Sequence, residues 1–419
     1  VKEEFTLQIL QRHIDDVSVV TDLSVIAVTG EQMRNVPGIG GKIFGALGVS
    51  RVNVVAIAQG SSERNISIVV RQDQVAVGMQ AIHDAFFAAH TRSHVYLVGT
   101  GLIGSTLLRQ IDALQRKDIH VCGLMNSRTM VTQVPLALSQ WQETLHAGQP
   151  ANLDHYVQWV LSDPSRNKVF VDCTASDETG AFYESLLAAG VHVVTANKKL
   201  ASGSQELYDR TNKRSHRRTF VHETNVGAGL PVLSTIRSLI ETGDEIEEIQ
   251  GVLSGTLSYL FNTYDGTGAF AELVRDAKQK GYTEPDPRDD LSGKDVARKL
   301  LILGREIGLK GELEDVQVEN LTPESCRAVA SVEEFLERLS DHDGTFANQV
   351  RVVHEASKRL RYMARIKDGI MSVKLEAVDA SHPCYHLSGS DNLIAITTKR
   401  YHDRPLVIQG PGAGAEVTA

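Results

Sequence analysis

The sequence predicts an α/β protein: a parallel, doubly wound sheet, followed by an α+β region and preceded by a βαββα unit. Three observations predict it. Strands alternate with helices from about residue 93 to 226, and that alternation builds parallel sheets. A Gly-x-Gly-x-x-Gly run stands where the first of those strands turns into its helix. In residues 22–90 short apolar segments follow the order β, α, β, β, α, a ferredoxin-like split unit without its last strand.

The front unit reads as follows. Leu23–Val28 is β-rich. Gly38–Leu47 spaces Ile39, Ile43 and Leu47 as a helix does. Val52–Ala58 and Ile66–Val70 are strands. Gln74–Phe87 carries Val75, Met79, Ile82 and Phe86 on one helical stripe. Residues 1–20 read as the end of a similar unit. In the next region His94–Val98, Ile119–Met125, Val169–Cys173 and Val191–Thr195 are strands, with helices at Leu102–Leu114 and Ala181–Ala189. Beyond Leu230 helices at Pro231–Glu241, Ala269–Lys280 and Ser292–Ile307 mix with extended stretches at Asn392–Thr398 and Leu406–Gln409.

A chain of 419 residues divides into two or three domains. The polar stretch His90–Ser93 sets the first boundary. We expect domains at 1–92, 93–226 (with 405–419 returning to it) and 227–404. The composition, 42% hydrophobic and 23% charged, is that of an ordinary globular protein. A net charge of −9 argues against a nucleic-acid partner. Cys122, Cys173, Cys326 and Cys384 lie far apart, without zinc spacing, which fits a reducing compartment. No apolar run is long enough to span a bilayer, and Val1–Phe5 does not read as a signal or transit peptide. The expected location is cytoplasmic, or the plastid stroma for a plant protein whose targeting segment is missing.

Gly99-Thr100-Gly101-Leu102-Ile103-Gly104 follows the strand Val95–Val98. In a Rossmann-type site the first glycine permits the tight turn, the second lets backbone approach a pyrophosphate, and the third lets helix pack on strand. The helix N-terminus then faces the anion. The second strand ends in Met125-Asn126-Ser127-Arg128, without the acid that grips an NAD ribose. Ser127 and Arg128 suit a 2′-phosphate and point to NADP. The competing reading of Arg128 is a solvated loop residue.

Residues 281–299 hold Tyr282, Glu284, Asp286, Asp289 and Asp290 in a loop stiffened by Pro285 and Pro287. A helix follows, with Ser292 as N-cap and an apolar stripe of Val296, Leu300, Leu303 and Ile307. Ser292 with Asp295 resembles a capping box. Asp295 and Lys299 are four apart, on one helical face. Taken alone, these residues read first as a helix cap, a helix ion pair and an acidic loop that is a solvated surface or a divalent-metal site.

The stretch Gly281–Gly293 with Asp295-Val296-Ala297-Arg298-Lys299 resembles the signature of homoserine dehydrogenases. So do Glu223–Pro231, Asn197-Lys198-Lys199, Leu253–Tyr259 and Gly410-Pro411-Gly412-Ala413-Gly414. The resemblance runs from about Val95 to the last residue. The front segment, including Ile57–Asn65, resembles the ACT regulatory region of aspartokinases, a junction found in bifunctional aspartokinase–homoserine dehydrogenases. No kinase catalytic domain is present, and the family continues beyond Val417-Thr418-Ala419 into a helix closing the nucleotide domain.

The resemblance implies reversible NADP-dependent reduction of aspartate 4-semialdehyde to L-homoserine, on the route to threonine, methionine and isoleucine. It implies Lys299 as proton donor. Lys198, after the strand ending at Thr195, polarises the carbonyl and contacts cofactor. Glu284 and Asp295 receive the substrate ammonium, with Tyr282, Thr256 and Asp290 as further substrate contacts. Thr174 and Gly414 line the nicotinamide. Main-chain oxygens of Glu223, Val226, Ala228 and Leu230 hold Na+ or K+, unless that stretch is a plain glycine-rich turn. Gln59 and Asn53 bind an effector, threonine by family precedent, or are ordinary turn and edge-strand side chains. The chain is expected to form a homo-oligomer, dimer or tetramer. Two rival readings are a sensing and oligomerising scaffold with an inactive, truncated dehydrogenase, and another NADP-linked amino-acid dehydrogenase.

Overall fold

The structure is a computed structural model that describes residues 3–33, 36–60, 64–87, 92–132, 136–165, 167–214 and 220–419. Part of the expected boundary at His90–Ser93 therefore lies outside the described residues, as do Ser61, Ser62 and Glu63 of the ACT-like motif. The chain divides into two units, Val1–Thr91 and Arg92–Ala419.

The first unit follows the expected order: β1 (Leu23–Thr29), a helix at Ile39–Val49, β2 (Val54–Gln59), β3 (Asn65–Arg71) and a helix at Val75–Phe87. Alternation along β3 buries Ile66, Ile68 and Val70 on one face. They pack with Ile43, Leu47 and Ile82 of the two helices. The strands are antiparallel in the order β1-β3-β2. Among the described residues the other edge of β1 has no neighbour, which is where the split unit lacked its last strand.

In the second unit β4 (Ser93–Val98), β5 (Ile119–Met125), β6 (Thr129–Val131), β7 (Gln149–Pro150), β8 (Lys168–Asp172), β9 (His192–Thr195) and β10 (Phe220–Val221) form one sheet. The order is β10-β9-β8-β4-β5-β6-β7. The five strands from β10 to β5 are parallel, as expected; β6 and β7 add an antiparallel edge. Val98 lies level with Met125 and Asp172, and Asp172 with Thr195. Four strands thus end together, and the chain leaves β4 toward β5 on one side and β8 on the other. Such a switch point opens a crevice at the carboxyl edge.

The second sheet contains β11 (Ile246–Val252), β12 (Gln317–Val318), β13 (Arg359–Lys367), β14 (Ile370–Val378), β15 (Asp391–Thr398) and β16 (Leu406–Pro411), in the order β12-β14-β13-β11-β15-β16. The helix Lys294–Glu306 lies against β13 and β14, burying Val296, Leu300 and Leu303 of the predicted stripe. Its start differs from expectation. Ser292 closes a preceding short helix, Pro287–Leu291. Gly293, at φ 72°, is the N-cap, and no side chain caps there. Asp295 takes part in no capping box, because its carboxylate is drawn to two lysines. The reading that returned 405–419 to the nucleotide unit also meets a difference. Leu406–Pro411 pairs with Asp391–Ile396 in the second sheet. Only the last turn, Ala415–Thr418, reaches the helix Leu102–Leu114, where Glu416 pairs with Arg109 and Gln110. Among the described residues no helix is long and apolar enough to cross a membrane.

Candidate active site

A groove of about 680 Å³ opens at the carboxyl ends of β4, β5 and β8. Gly99, Thr100 and Gly101 form its floor, Asn126 and Ser127 one wall, and Thr174, Ala175 and Ser176 the other. The three glycines act differently. Gly99 holds φ +92°, and a Cβ there would come within 2.8 Å of Cys173 and Thr174. A Cβ on Gly104 would stand 1.9 Å from the Gly99 carbonyl oxygen. A Cβ on Gly101 would meet nothing within 4 Å, so that position keeps free the space a pyrophosphate needs. Leu102 and Ile103 begin the helix, whose N-terminus no side chain caps. The Asn126 side chain accepts from the backbone N–H groups of Arg128 and Thr129 at 2.7 and 2.8 Å. It thereby folds the loop that exposes Ser127 and Arg128. Gly414 precedes the last turn and is not among the groove-lining residues. Ala151, Leu153, Glu178 and Thr179 also line the groove; sequence reasoning did not select them, because nothing marks their chemistry until the sheet edge is assembled.

The second constellation centres on Asp295. Its Oδ1 receives Lys198 Nζ at 2.9 Å and its Oδ2 receives Lys299 Nζ at 2.9 Å. Lys299 also donates to the Leu253 carbonyl at 2.7 Å. Residues nearly a hundred positions apart thus meet, Lys198 from the turn after β9 and the other two from one turn of the long helix. Burial lowers the Lys299 pKa, with Asp295 opposing and Lys198 assisting. Burial pushes the Asp295 carboxyl upward, but the two lysines outweigh it and hold the group well below the usual carboxylate range. Two cations over one carboxylate leave net positive charge at this point.

Thr256 ties the acidic loop to the helix Gly255–Thr263. Its hydroxyl donates to the Tyr282 carbonyl at 2.6 Å and lies 2.8 Å from Asp290 Oδ1, while Glu284 N–H donates to Asp290 Oδ2 at 2.8 Å. Burial pushes the Asp290 carboxyl up to about 6, against those two hydrogen bonds. The Tyr282 and Glu284 side chains remain exposed. Asp286 belongs elsewhere: it caps the short helix Pro287–Leu291 and pairs with Arg288.

In the turn 223–230, Gly227 and Ala228 both have positive φ, 77° and 51°. Glu223 turns its side chain to the Ser234 N–H at 3.0 Å and so helps cap the next helix, Val232–Glu241. The Leu230 carbonyl accepts from Val232 N–H. Among the described residues the Val226 and Ala228 carbonyls accept no hydrogen bond, the condition a main-chain cation site requires. In the first unit Asn53 precedes β2 and Gln59 ends it. They lie at opposite ends of a strand, roughly 20 Å apart at the usual rise per residue, so the structure does not bring them together within one chain.

A homoserine dehydrogenase profile matches residues 231–419, the NAD-binding domain of homoserine dehydrogenase matches 99–223, and an ACT domain matches 26–86. Homoserine dehydrogenase of Schizosaccharomyces pombe is 40% identical over 353 residues, covering 79% of this chain and 94% of that protein. This chain belongs to the homoserine dehydrogenase family. The chloroplastic bifunctional aspartokinase/homoserine dehydrogenase 1 of Zea mays is 44% identical over 422 residues, 97% of this chain and 46% of the relative. The chain thus spans about half the length of the bifunctional relatives it matches. The fold is shared with a putative homoserine dehydrogenase from Archaeoglobus fulgidus (TM-score 0.62, 23% identity, 78% of this chain and 95% of that one). A hyperthermophilic archaeal homoserine dehydrogenase in complex with NADPH gives a TM-score of 0.59 at 20% identity, covering 78% of this chain and 94% of that one.

Proposed function

We propose that this chain catalyses the reversible, NADP-dependent interconversion of L-homoserine and aspartate 4-semialdehyde. The observation that carries the reading is the convergence of Lys198 and Lys299 on Asp295. A carbonyl being reduced develops negative charge on oxygen, and two cations held in place before the reaction stabilise it. Lys299 is the better proton donor. Burial lowers its pKa, which brings a lysine closer to the range where general acids exchange protons. Asp295 and the Leu253 carbonyl fix its ammonium in direction. Lys198 polarises the same oxygen. Glu284, with the lone pairs that Asp295 leaves free, receives the substrate ammonium. Tyr282, Thr256 and Asp290 shape that end of the cleft.

The turn Gly99–Gly104 would hold the cofactor pyrophosphate, Ser127 and Arg128 the 2′-phosphate, and Thr174 and Gly414 the nicotinamide side. When bound, the cofactor supplies or accepts the hydride. Glu223, Val226, Ala228 and Leu230 would hold Na+ or K+ through main-chain oxygens, stiffening the join between the two sheets. In keeping with the bifunctional relatives, we read the chain as the dehydrogenase part of such a protein. The ACT region would take threonine at Gln59 and Asn53, each completed by residues outside its own end of β2, in a homo-oligomer.

One assay tests these assignments: NADP reduction with L-homoserine, set against glutamate and malate. Turnover with homoserine alone is expected, and equal turnover with malate would remove the substrate reading. NAD in place of NADP tests Arg128, and a strong preference for NAD would sink its role. Rates unchanged by sodium, potassium or threonine would remove the cation and effector assignments.

A further inference from the structure

Asp172 ends β8 and is fully buried, two residues before the groove wall begins at Thr174. Its Oδ1 accepts the Thr174 N–H at 2.7 Å, and its Oδ2 accepts the Tyr183 hydroxyl at 2.6 Å and Asn197 Nδ2 at 3.2 Å. Asn197, itself 4% exposed, is the other half of the join. Its Nδ2 donates to the Ser176 carbonyl at 2.8 Å and lies 3.3 Å from the Thr174 hydroxyl. Its Oδ1 accepts the Lys199 N–H at 3.0 Å. Its own N–H donates to Thr195 Oγ1 at 2.9 Å, and that hydroxyl sits 3.0 Å from the Tyr183 oxygen. Ser202 donates to the Lys198 carbonyl at 2.8 Å, closing the turn from behind.

Thr174 and Ser176 form a wall of the nucleotide groove, and Lys198 is the residue after Asn197. A buried polar network with every member paired has one low-energy arrangement. Moving the groove wall therefore pulls on the Asn197 amide, and the amide pulls on the turn that aims Lys198.

We infer that Asn197, held by Asp172 and Tyr183, is a positioning residue that ties the cofactor-facing wall at Thr174–Ser176 to the aim of Lys198 at Asp295. The inference rests on the reading of Lys198 given above. Substrate-side geometry is then set partly by occupancy of the groove, through side chains that touch neither ligand.

A double-mutant cycle tests this. Asn197→Ala should lower kcat about 10-fold, the order of a lost positioning hydrogen bond. In a Lys198→Ala background the same change should lower kcat less than about twofold, because a residue acting through Lys198 has nothing left to aim. Tyr183→Phe keeps the ring and removes one donor; it should show a smaller kcat loss with the same non-additivity, and it carries the cycle if Asn197→Ala does not fold. Losses that multiply in the double variants overturn the inference while leaving the Lys198 reading intact. A Lys198→Ala enzyme with wild-type kcat removes that reading, and the inference with it. A merely structural role would lower the melting temperature in both backgrounds and multiply the rate losses.

Discussion

The helix Lys294–Glu306 carries a carboxylate cluster at each end, and the two are built differently. At the first turn Asp295 is shared by Lys198 and Lys299, one oxygen each, with its side chain half-exposed to the cleft. At the last turn Glu306 is gripped by Arg237, with Nε on Oε2 at 2.7 Å and Nη2 on Oε1 at 2.9 Å, and His222 Nε2 stands 3.3 Å from Oε1. There the carboxylate side chain is 8% exposed and the imidazole 2%. The helix field favours an acid at the first turn and opposes one at the last. Glu306 therefore depends wholly on its partners. The cations differ too. A lysine gives up its proton when buried, whereas a guanidinium keeps it. The first cluster holds lysines that can exchange a proton; the second grips the end of the helix with a guanidinium and an imidazole.

That contrast can be broken by experiment. Lys299→Ala should lower kcat by about 10³-fold, within the range for loss of a general acid, while NADPH affinity and melting temperature change little. Cofactor fluorescence titration and steady-state kinetics measure the two separately. Near-normal turnover would move proton transfer away from this lysine. Glu306→Gln should do the reverse. Burial pushes the Glu306 carboxyl up, but His222 and Arg237 outweigh it and hold it at about 2. Its folded pKa lies below the unfolded one. The stabilisation is therefore present above the unfolded value near 4.5 and is lost as pH falls through about 2. At neutral pH it is worth about 3 kcal/mol. The variant should melt roughly 5–10 °C lower at pH 7 and keep kcat within about twofold. A variant as stable as the parent at pH 7 would show that the pair contributes nothing net, a known outcome for buried ion pairs.

The two clusters were not equally legible in the sequence. Asp295 and Lys299 stand four apart, and their spacing alone placed them on one face. Lys198 was found from its position after the strand ending at Thr195. Glu306, Arg237 and His222 lie on three separate segments, and no spacing links them. The same difference runs through the fold. Four of the parallel strands, β4, β5, β8 and β9, are mostly apolar runs, and the helices Leu102–Leu114 and Lys294–Glu306 repeat at helical spacing, so they could be read; β10, two residues long, could not. β13 and β14 could not: Arg361, Arg365 and Lys374 interrupt their apolar pattern. Arg361 is buried by donating to five carbonyls, including those of Phe261 and Cys384, a solution that exists only once the sheet has formed. Ser292 misled for a local reason. A serine before an apolar run suggests an N-cap, but the short helix ahead of it leaves the turn to Gly293.

The smallest effect expected is at Asp290, between the two extremes. Its carboxyl is pushed up to about 6 by burial, more than the Glu284 N–H and the Thr256 hydroxyl pull it down. The sign is therefore opposite to that of Glu306. A folded pKa above the ordinary 3.8 gives stability that is present below that value and lost as pH rises through about 6. At pH 5 the folded protein keeps the proton, and Asp290→Asn mimics that state: its Oδ1 can accept from Glu284 N–H while its amide nitrogen donates to Thr256 Oγ1. At pH 8 the parent holds an ionised carboxylate in a mostly buried place and the variant does not. Thermal melts of both proteins at the two pH values should agree at pH 5 and differ by about 2 °C in favour of the variant at pH 8, since partial exposure leaves less than about 1 kcal/mol at stake. A pH-independent difference would mean that Asp290 ionises in the fold as freely as in water, and that Thr256 surrenders the Tyr282 carbonyl to reach it.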